Sequence, residues 1–92
     1  MYVILVYDIK FEDKGERVLS KVFKICKKYL SHIQNSVFEG ELTAVQLYAL
    51  KCELNEHIRK DKDSVIVFTS NNSAWLNKDF LGKTDDKTSF FL

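Results

Sequence analysis

Asp8 closes the first apolar run of the chain, and it is the first residue whose type and place could carry chemistry. Residues 2–9 are β-branched and aromatic on both faces, as expected of a central strand covered on two sides, and alternation puts Ile4, Val6 and Asp8 on one face. A carboxylate at the carboxyl end of such a strand is held in place by its neighbours. Mg²⁺ takes oxygen ligands and often uses only one or two protein carboxylates plus water, so one Asp from each of two symmetry-related subunits would make a chemically sensible site. The plainer role for Asp8 is to cap the loop into the first helix, and residue types alone leave both open. Glu39 and Glu41 flank Gly40 and fall on one side of an extended segment; they could add an acidic ligand, but a solvated strand face accounts for them more simply. His32 and His57 are too isolated to form a metal pair, and no pattern supports general-acid work by His32.

Arg17, Lys21, Lys24 and Lys28 supply the other candidate chemistry. Their spacing places four cations in one stripe along roughly 16 Å of helix at ~1.5 Å per residue. Such a stripe is usually a solvated helix face. Here all four charges share one sign, and a dimer would carry two stripes suited to the phosphate backbone of a duplex read without sequence preference. The formal net charge is only +1, so distribution and not total charge must carry any case for nucleic acid. No Gly-rich phosphate loop, nucleophile elbow or aromatic single-strand platform is found.

The elements that must position these residues follow from periodicity. Glu12 and Asp13 read as first-turn acids of a helix running to about Leu30, with Val18, Leu19, Val22, Phe23, Cys26, Tyr29 and Leu30 on its apolar face. Residues 32–42 read as extended, either one bent strand or two short ones broken near Asn35 and Ser36. Thr43 and Gln46 have capping-box spacing, and Leu47, Leu50, Leu54 and Ile58 mark a second helix ending near Lys60. Residues 61–63 form a turn, 64–69 a strand and 70–73 a polar turn, after which 74–81 could return as a hairpin partner. Residues 82–88 read as a charged connector. The last four, Ser89, Phe90, Phe91 and Leu92, are apolar enough to pair along a sheet edge, such as that of a second subunit.

Ninety-two residues, 46% hydrophobic, 29% charged and without proline, make one domain over residues 1–92, with a core over 1–81 and a connector and edge strand over 82–92. Two strand–helix units followed by more strands favour an α+β two-layer sandwich with both helices on one face of the sheet. The other face then needs a partner, and a homodimer packed sheet against sheet is the expected one. Cys26 and Cys52 stand in helical stretches without metal-ligand spacing, which reads as reduced thiols of a cytoplasmic protein. The longest apolar run is far below the ~20 residues of a membrane-spanning helix.

Three segments together resemble a known family: Tyr2-Val3-Ile4-Leu5-Val6-Tyr7-Asp8-Ile9, Glu16-Arg17-Val18, and Ile33-Gln34-Asn35-Ser36-Val37-Phe38-Glu39-Gly40-Glu41-Leu42. The combination is similar to the Cas-two family of CRISPR-associated proteins, over nearly the whole chain. The resemblance implies a ferredoxin-like fold and a homodimer whose C-terminal strand crosses to the partner subunit. It implies that Asp8 binds Mg²⁺ between two subunits, and that Tyr7, Arg17 and Phe38 match positions tied to activity or substrate contact. Metal-activated water would then attack a phosphodiester of single-stranded RNA or duplex DNA, with Arg17 and neighbouring lysines holding phosphates. A second implied role is a scaffold between two integrase dimers, the Cas-one subunits, in spacer acquisition. A third reading is a toxin-type ribonuclease of the related virulence-associated D family. The chain departs from many relatives at His32, where they carry a basic residue, which implies a weaker or pH-dependent contact.

Overall fold

The computed structural model describes residues 1–71 and 79–82. The elements run β1 (Tyr2–Asp8), α1 (Gly15–Tyr29), β2 (Ser31–Gln34), β3 (Val37–Glu41), α2 (Ala44–Asn55) and β4 (Ser64–Ser70). The sheet order is β2-β3-β1-β4, and every pairing is antiparallel. This is the ferredoxin-like α+β arrangement: β1 lies inside the sheet and both helices pack on one face.

Alternation along β1 decides which residues meet the helices. Val3, Leu5 and Tyr7 are buried against α1 and α2, together with Phe38, Val22, Cys26, Leu47, Leu50 and Leu54. Tyr2, Ile4, Val6 and Asp8 turn to the other face. The register carries that division across the sheet, since Ile4 lies opposite Glu39 and Phe68, Val6 opposite Val37 and Ile66, and Asp8 opposite Ser64. Ile66 and Phe68 stay 53% and 55% exposed there, so β1 is covered fully on its helix side and only partly on the other.

Residues 32–42 resolve into two strands. Asn35 takes φ 43, a left-handed conformation that Asn tolerates through its short polar side chain, and the chain reverses there. The Thr43 capping box is present in both directions: Gln46 N–H donates to Thr43 Oγ1 at 3.1 Å and Thr43 N–H to Gln46 Oε1 at 2.9 Å.

Two expected boundaries are corrected. Glu12 and Asp13 precede α1 and are not first-turn acids, because Asp13 and Lys14 have φ 54 and 66, which a right-handed helix excludes; Glu16 is the acid of the first turn. The second helix ends at Asn55 rather than near Lys60. Its last N–H groups fall back on tighter bonds, such as Glu56 N–H to Glu53 O, and Asp63 then captures the Arg59 backbone N–H at 2.9 Å. Strand 64–69 is found with Ser70 added. Most of the expected hairpin return over 74–81 lies outside the described residues, as does nearly all of the C-terminal connector and edge strand; residues 79–81 are irregular.

Candidate active site and nucleic-acid interface

Asp8 ends β1 on the open face, with its side chain 66% exposed. Lys10 Nζ lies 3.2 Å from Asp8 Oδ2, so in one protomer this carboxylate has a lysine as its counter-ion. An exposed pair of that kind is worth only ~0–1 kcal/mol, and a divalent ion can displace it. Among the described residues no group of three or more His, Cys, Asp or Glu side chains gathers into a metal cage. One protomer therefore presents Asp8 with at most one further carboxylate nearby, that of Glu16 at the start of α1, which lines the cleft beside it. That fits half of a Mg²⁺ site, because the ion is commonly held by one or two carboxylates plus water.

The β3 glutamates do not complete it. Glu39 and Glu41 do share the open face, but their register partners Ile4 and Tyr2 precede Asp8 by four and six residues, about 13 and 20 Å at ~3.3 Å per residue. Glu39 is buried and accepts a hydrogen bond from the Tyr2 hydroxyl, and burial with this neighbour pushes Tyr2 up to about 12. Glu41 Oε2 sits 3.6 Å from the N-terminal ammonium. Both act within the central β1–β3 pair, toward the end remote from Asp8. His32 is also structural: its ring lies 4.9 Å from Phe38 and 5.0 Å from Phe23, and its Nε2 is 2.8 Å from the Asn35 carbonyl.

Tyr7 and Phe38 belong to the helix side of the sheet. Phe38 has no exposed surface, and its ring centroid is 6.0 Å from that of Tyr7 and 5.5 Å from that of Phe23. Any influence of Phe38 on a substrate passes through the rings packed on it, of which Tyr7 and Phe23 line the cleft. Tyr7 is itself 6% exposed, and burial pushes its hydroxyl up to about 12, which keeps it protonated. It lines a cleft of about 610 Å³ between the end of β1, α1 and the β2–β3 turn, which also touches Asp8, Phe23, Lys24 and Asn35. The structure thus brings Tyr7, Asp8 and Lys24 to one opening and leaves Phe38 behind it.

The basic stripe lies on α1 opposite its buried Val22–Cys26 side, hence away from the sheet. Arg17, Lys21 and Lys24 are exposed, and no ion pair among the described residues engages them. Lys28 differs: its ammonium pairs with Glu53 on α2, which also accepts from the Tyr29 hydroxyl, and the Glu53 carboxylate raises the Lys28 pKa. The stripe available to phosphate without breaking a contact is therefore Arg17, Lys21 and Lys24.

A sequence model of the family described as "CRISPR associated protein Cas2" matches residues 1–78. The chain belongs to the Cas2 family. It is 54% identical over its 92 residues to a "CRISPR-associated endoribonuclease Cas2" of Fusobacterium nucleatum, covering all of this chain and 87% of that protein. A second protein with an endoribonuclease Cas2 name, from Moorella thermoacetica, is 44% identical and is covered completely by 98% of this chain. Among solved structures, Streptococcus pyogenes Cas2 superposes with TM-score 0.77 at 31% identity over 89% of this chain and all of that one. Another structure described as cas2 gives 0.76 at 36% identity, covering 94% and 91%. The ferredoxin-like fold and the CRISPR-associated character implied by the β1 and residue 33–42 motifs are those of this family. No described helix is long and apolar enough to cross a membrane.

Sequence reasoning missed Arg59 and Asp63. Arg59 Nε and Nη2 donate to the two Asp63 oxygens, each at 2.9 Å, and the Asp63 side chain is fully buried. The guanidinium beside it holds the Asp63 carboxyl well below the usual carboxylate range. In sequence the two are four residues apart and look like an ordinary surface pair; no local pattern marks them.

Proposed function

We propose that the protein serves CRISPR adaptation as a cytoplasmic homodimer joined through its open sheet face, and that two Asp8 carboxylates, one per subunit, hold Mg²⁺ for phosphodiester hydrolysis. The observation that carries this reading is the place of Asp8 at the rim of the face that leaves Ile66 and Phe68 exposed. Covering that apolar face with its own copy moves the two carboxylates toward one another. The endoribonuclease names of the relatives support single-stranded RNA as the first substrate to test, with duplex DNA as the second.

The bound metal would supply an activated water and offset charge on the phosphate. The chain's own residues orient the strand. Lys24 shares the cleft with Asp8 and Tyr7, and Arg17 and Lys21 continue its charge along α1. Tyr7 stays protonated at neutral pH and can donate a hydrogen bond, with Phe38 packed behind its ring. The outward stripe also suits duplex phosphates, and integrase dimers of the Cas-one type are the partners this family relationship suggests.

One observation favours a purely scaffolding role: within a protomer Asp8 belongs to no group of three or more metal-ligating side chains among the described residues and already has Lys10 beside it. Cleavage of labelled single-stranded RNA and duplex DNA, with Mg²⁺ or chelator, comparing wild type with Asp8→Ala, separates the two. Metal-dependent cleavage lost in Asp8→Ala supports the nuclease. Equal behaviour of the two proteins refutes a catalytic Asp8 and leaves the scaffold.

A further inference from the structure

The loop between Asp8 and α1 is held from a distance. Arg59 Nη2 donates to the Lys10 carbonyl at 2.6 Å, and Nη1 donates to the carbonyls of Glu12 and of Asp13, the latter at 2.8 Å. Asp63 Oδ1 accepts the Lys10 backbone N–H at 3.1 Å. Both backbone groups of Lys10 are therefore gripped by one buried ion pair, and the Lys10 side chain lies on the Asp8 carboxylate. Asp63 also immediately precedes Ser64, the strand partner of Asp8. The loop closes tightly: Gly15 N–H donates to the Phe11 carbonyl at 3.0 Å, and a Cβ on Gly15 would fall 1.8 Å from the Lys10 carbonyl oxygen. Two consecutive left-handed residues, Asp13 and Lys14, complete it, a conformation that costs energy without glycine and so needs an outside restraint.

We propose that Arg59 and Asp63 are positioning residues that fix the 10–15 loop, and through it the Asp8 carboxylate, its Lys10 counter-ion and the start of the Arg17-bearing helix. The proposal rests on the reading of Asp8 as a metal ligand. Geometry makes the guanidinium specific. Its planar fork reaches three carbonyls and both oxygens of one carboxylate, and a lysine ammonium, with three donors on a flexible stem, cannot reproduce that pattern. Neither residue touches the metal or the substrate, so their loss should act on how the site is set and leave phosphate binding by Lys21 and Lys24 alone.

The test uses Arg59→Lys and the milder Asp63→Asn in the full-length protein. Three quantities are read: amide hydrogen exchange at Lys10 and Gly15 against Leu5 and Val67 as core controls, Mn²⁺-induced line broadening at Asp8, and kcat and KM for RNA cleavage. The expected result is faster exchange in the loop with the core unchanged, weaker Mn²⁺ broadening at Asp8, and a kcat lowered ~10- to 100-fold, in line with ångström-scale misplacement of a catalytic group, at nearly constant KM. Folded variants with wild-type loop protection, Mn²⁺ broadening and kcat would overturn the clip and leave the nuclease reading standing. Equal loss of protection in loop and core would reduce the pair to a general stabiliser and also overturn it. Wild-type protein that neither cleaves nor shows Mn²⁺ at Asp8 would remove the metal reading, and this proposal with it.

Discussion

Pairing through the open sheet face can be tested by changing two side chains that the protomer does not need for its own core. Ile66 and Phe68 are 53% and 55% exposed on β4, next to Val6 and Ile4. Fully burying such a side chain is worth ~1.5–3 kcal/mol, so covering the exposed half gains about 0.8–1.5 kcal/mol each. A twofold dimer covers both residues from both subunits. Replacing them by threonine, which suits a strand and keeps one methyl, removes most of that gain, about 2–4 kcal/mol per dimer, or roughly a 30- to 1,000-fold weaker Kd. Sedimentation equilibrium of the Ile66→Thr/Phe68→Thr protein across a dilution series measures this, and circular dichroism at high concentration checks that the fold survives. A folded double variant that dimerises as tightly as wild type would refute the sheet-face interface, and with it the convergence of two Asp8 side chains.

Three further outcomes follow from the geometry. Phe38→Ala should cost ~3–5 kcal/mol of stability, as for a fully buried aromatic, whereas Phe38→Leu should largely keep both melting temperature and cleavage; loss of cleavage in a Phe38→Leu protein of unchanged stability would refute a purely packing role. Lys21→Glu/Lys24→Glu should weaken duplex binding and flatten its salt dependence by about 0.9 per lost phosphate contact, with a smaller effect from Lys28→Glu because Glu53 already engages Lys28; an unchanged slope in a filter-binding titration would exclude the stripe. Burial pushes the Cys26 thiol up to about 12, so at pH 8 roughly one part in ten thousand is thiolate, and a thiol reagent should titrate only the exposed Cys52 in native protein and both cysteines after denaturation.

What the sequence made legible was whatever local chemistry determines. The apolar run of β1, the Thr43 capping box and the Leu47, Leu50, Leu54 stripe each carry their instruction within a few residues, and each stands where expected. The break in residues 32–42 could be placed near Asn35 but not decided, because a strand pair and a bent strand share the same residue pattern and differ in the backbone at the turn, where Asn35 takes a left-handed φ. The errors share a cause. The start of α1 is delayed by two left-handed residues, Asp13 and Lys14, in a loop whose Glu12 and Asp13 carbonyls accept from Arg59, more than forty positions away, and beyond the end of α2 at Asn55 the Arg59 backbone N–H goes to Asp63. Propensity favours helix in both places and tertiary hydrogen bonds override it. The same distance in sequence hid the pair that grips the Asp8 loop.

The arrangement of charge also bears on whether the two proposed roles are compatible in one small protein. Asp8 stands on the open sheet face, Arg17 and Lys21 lie on the outer side of α1, and Lys24 reaches the cleft that Asp8 also lines. A rigid duplex lying along the outward stripe of a sheet-to-sheet dimer would run over the helix layer and not between the sheets. A flexible single strand faces no such limit: it can bend around the end of β1, where the cleft joins Lys24, Tyr7 and Asp8. On the proposed reading, duplex affinity and strand cleavage would overlap at Lys24 and differ in Asp8 and Tyr7, and they would draw on different mechanical properties of the nucleic acid.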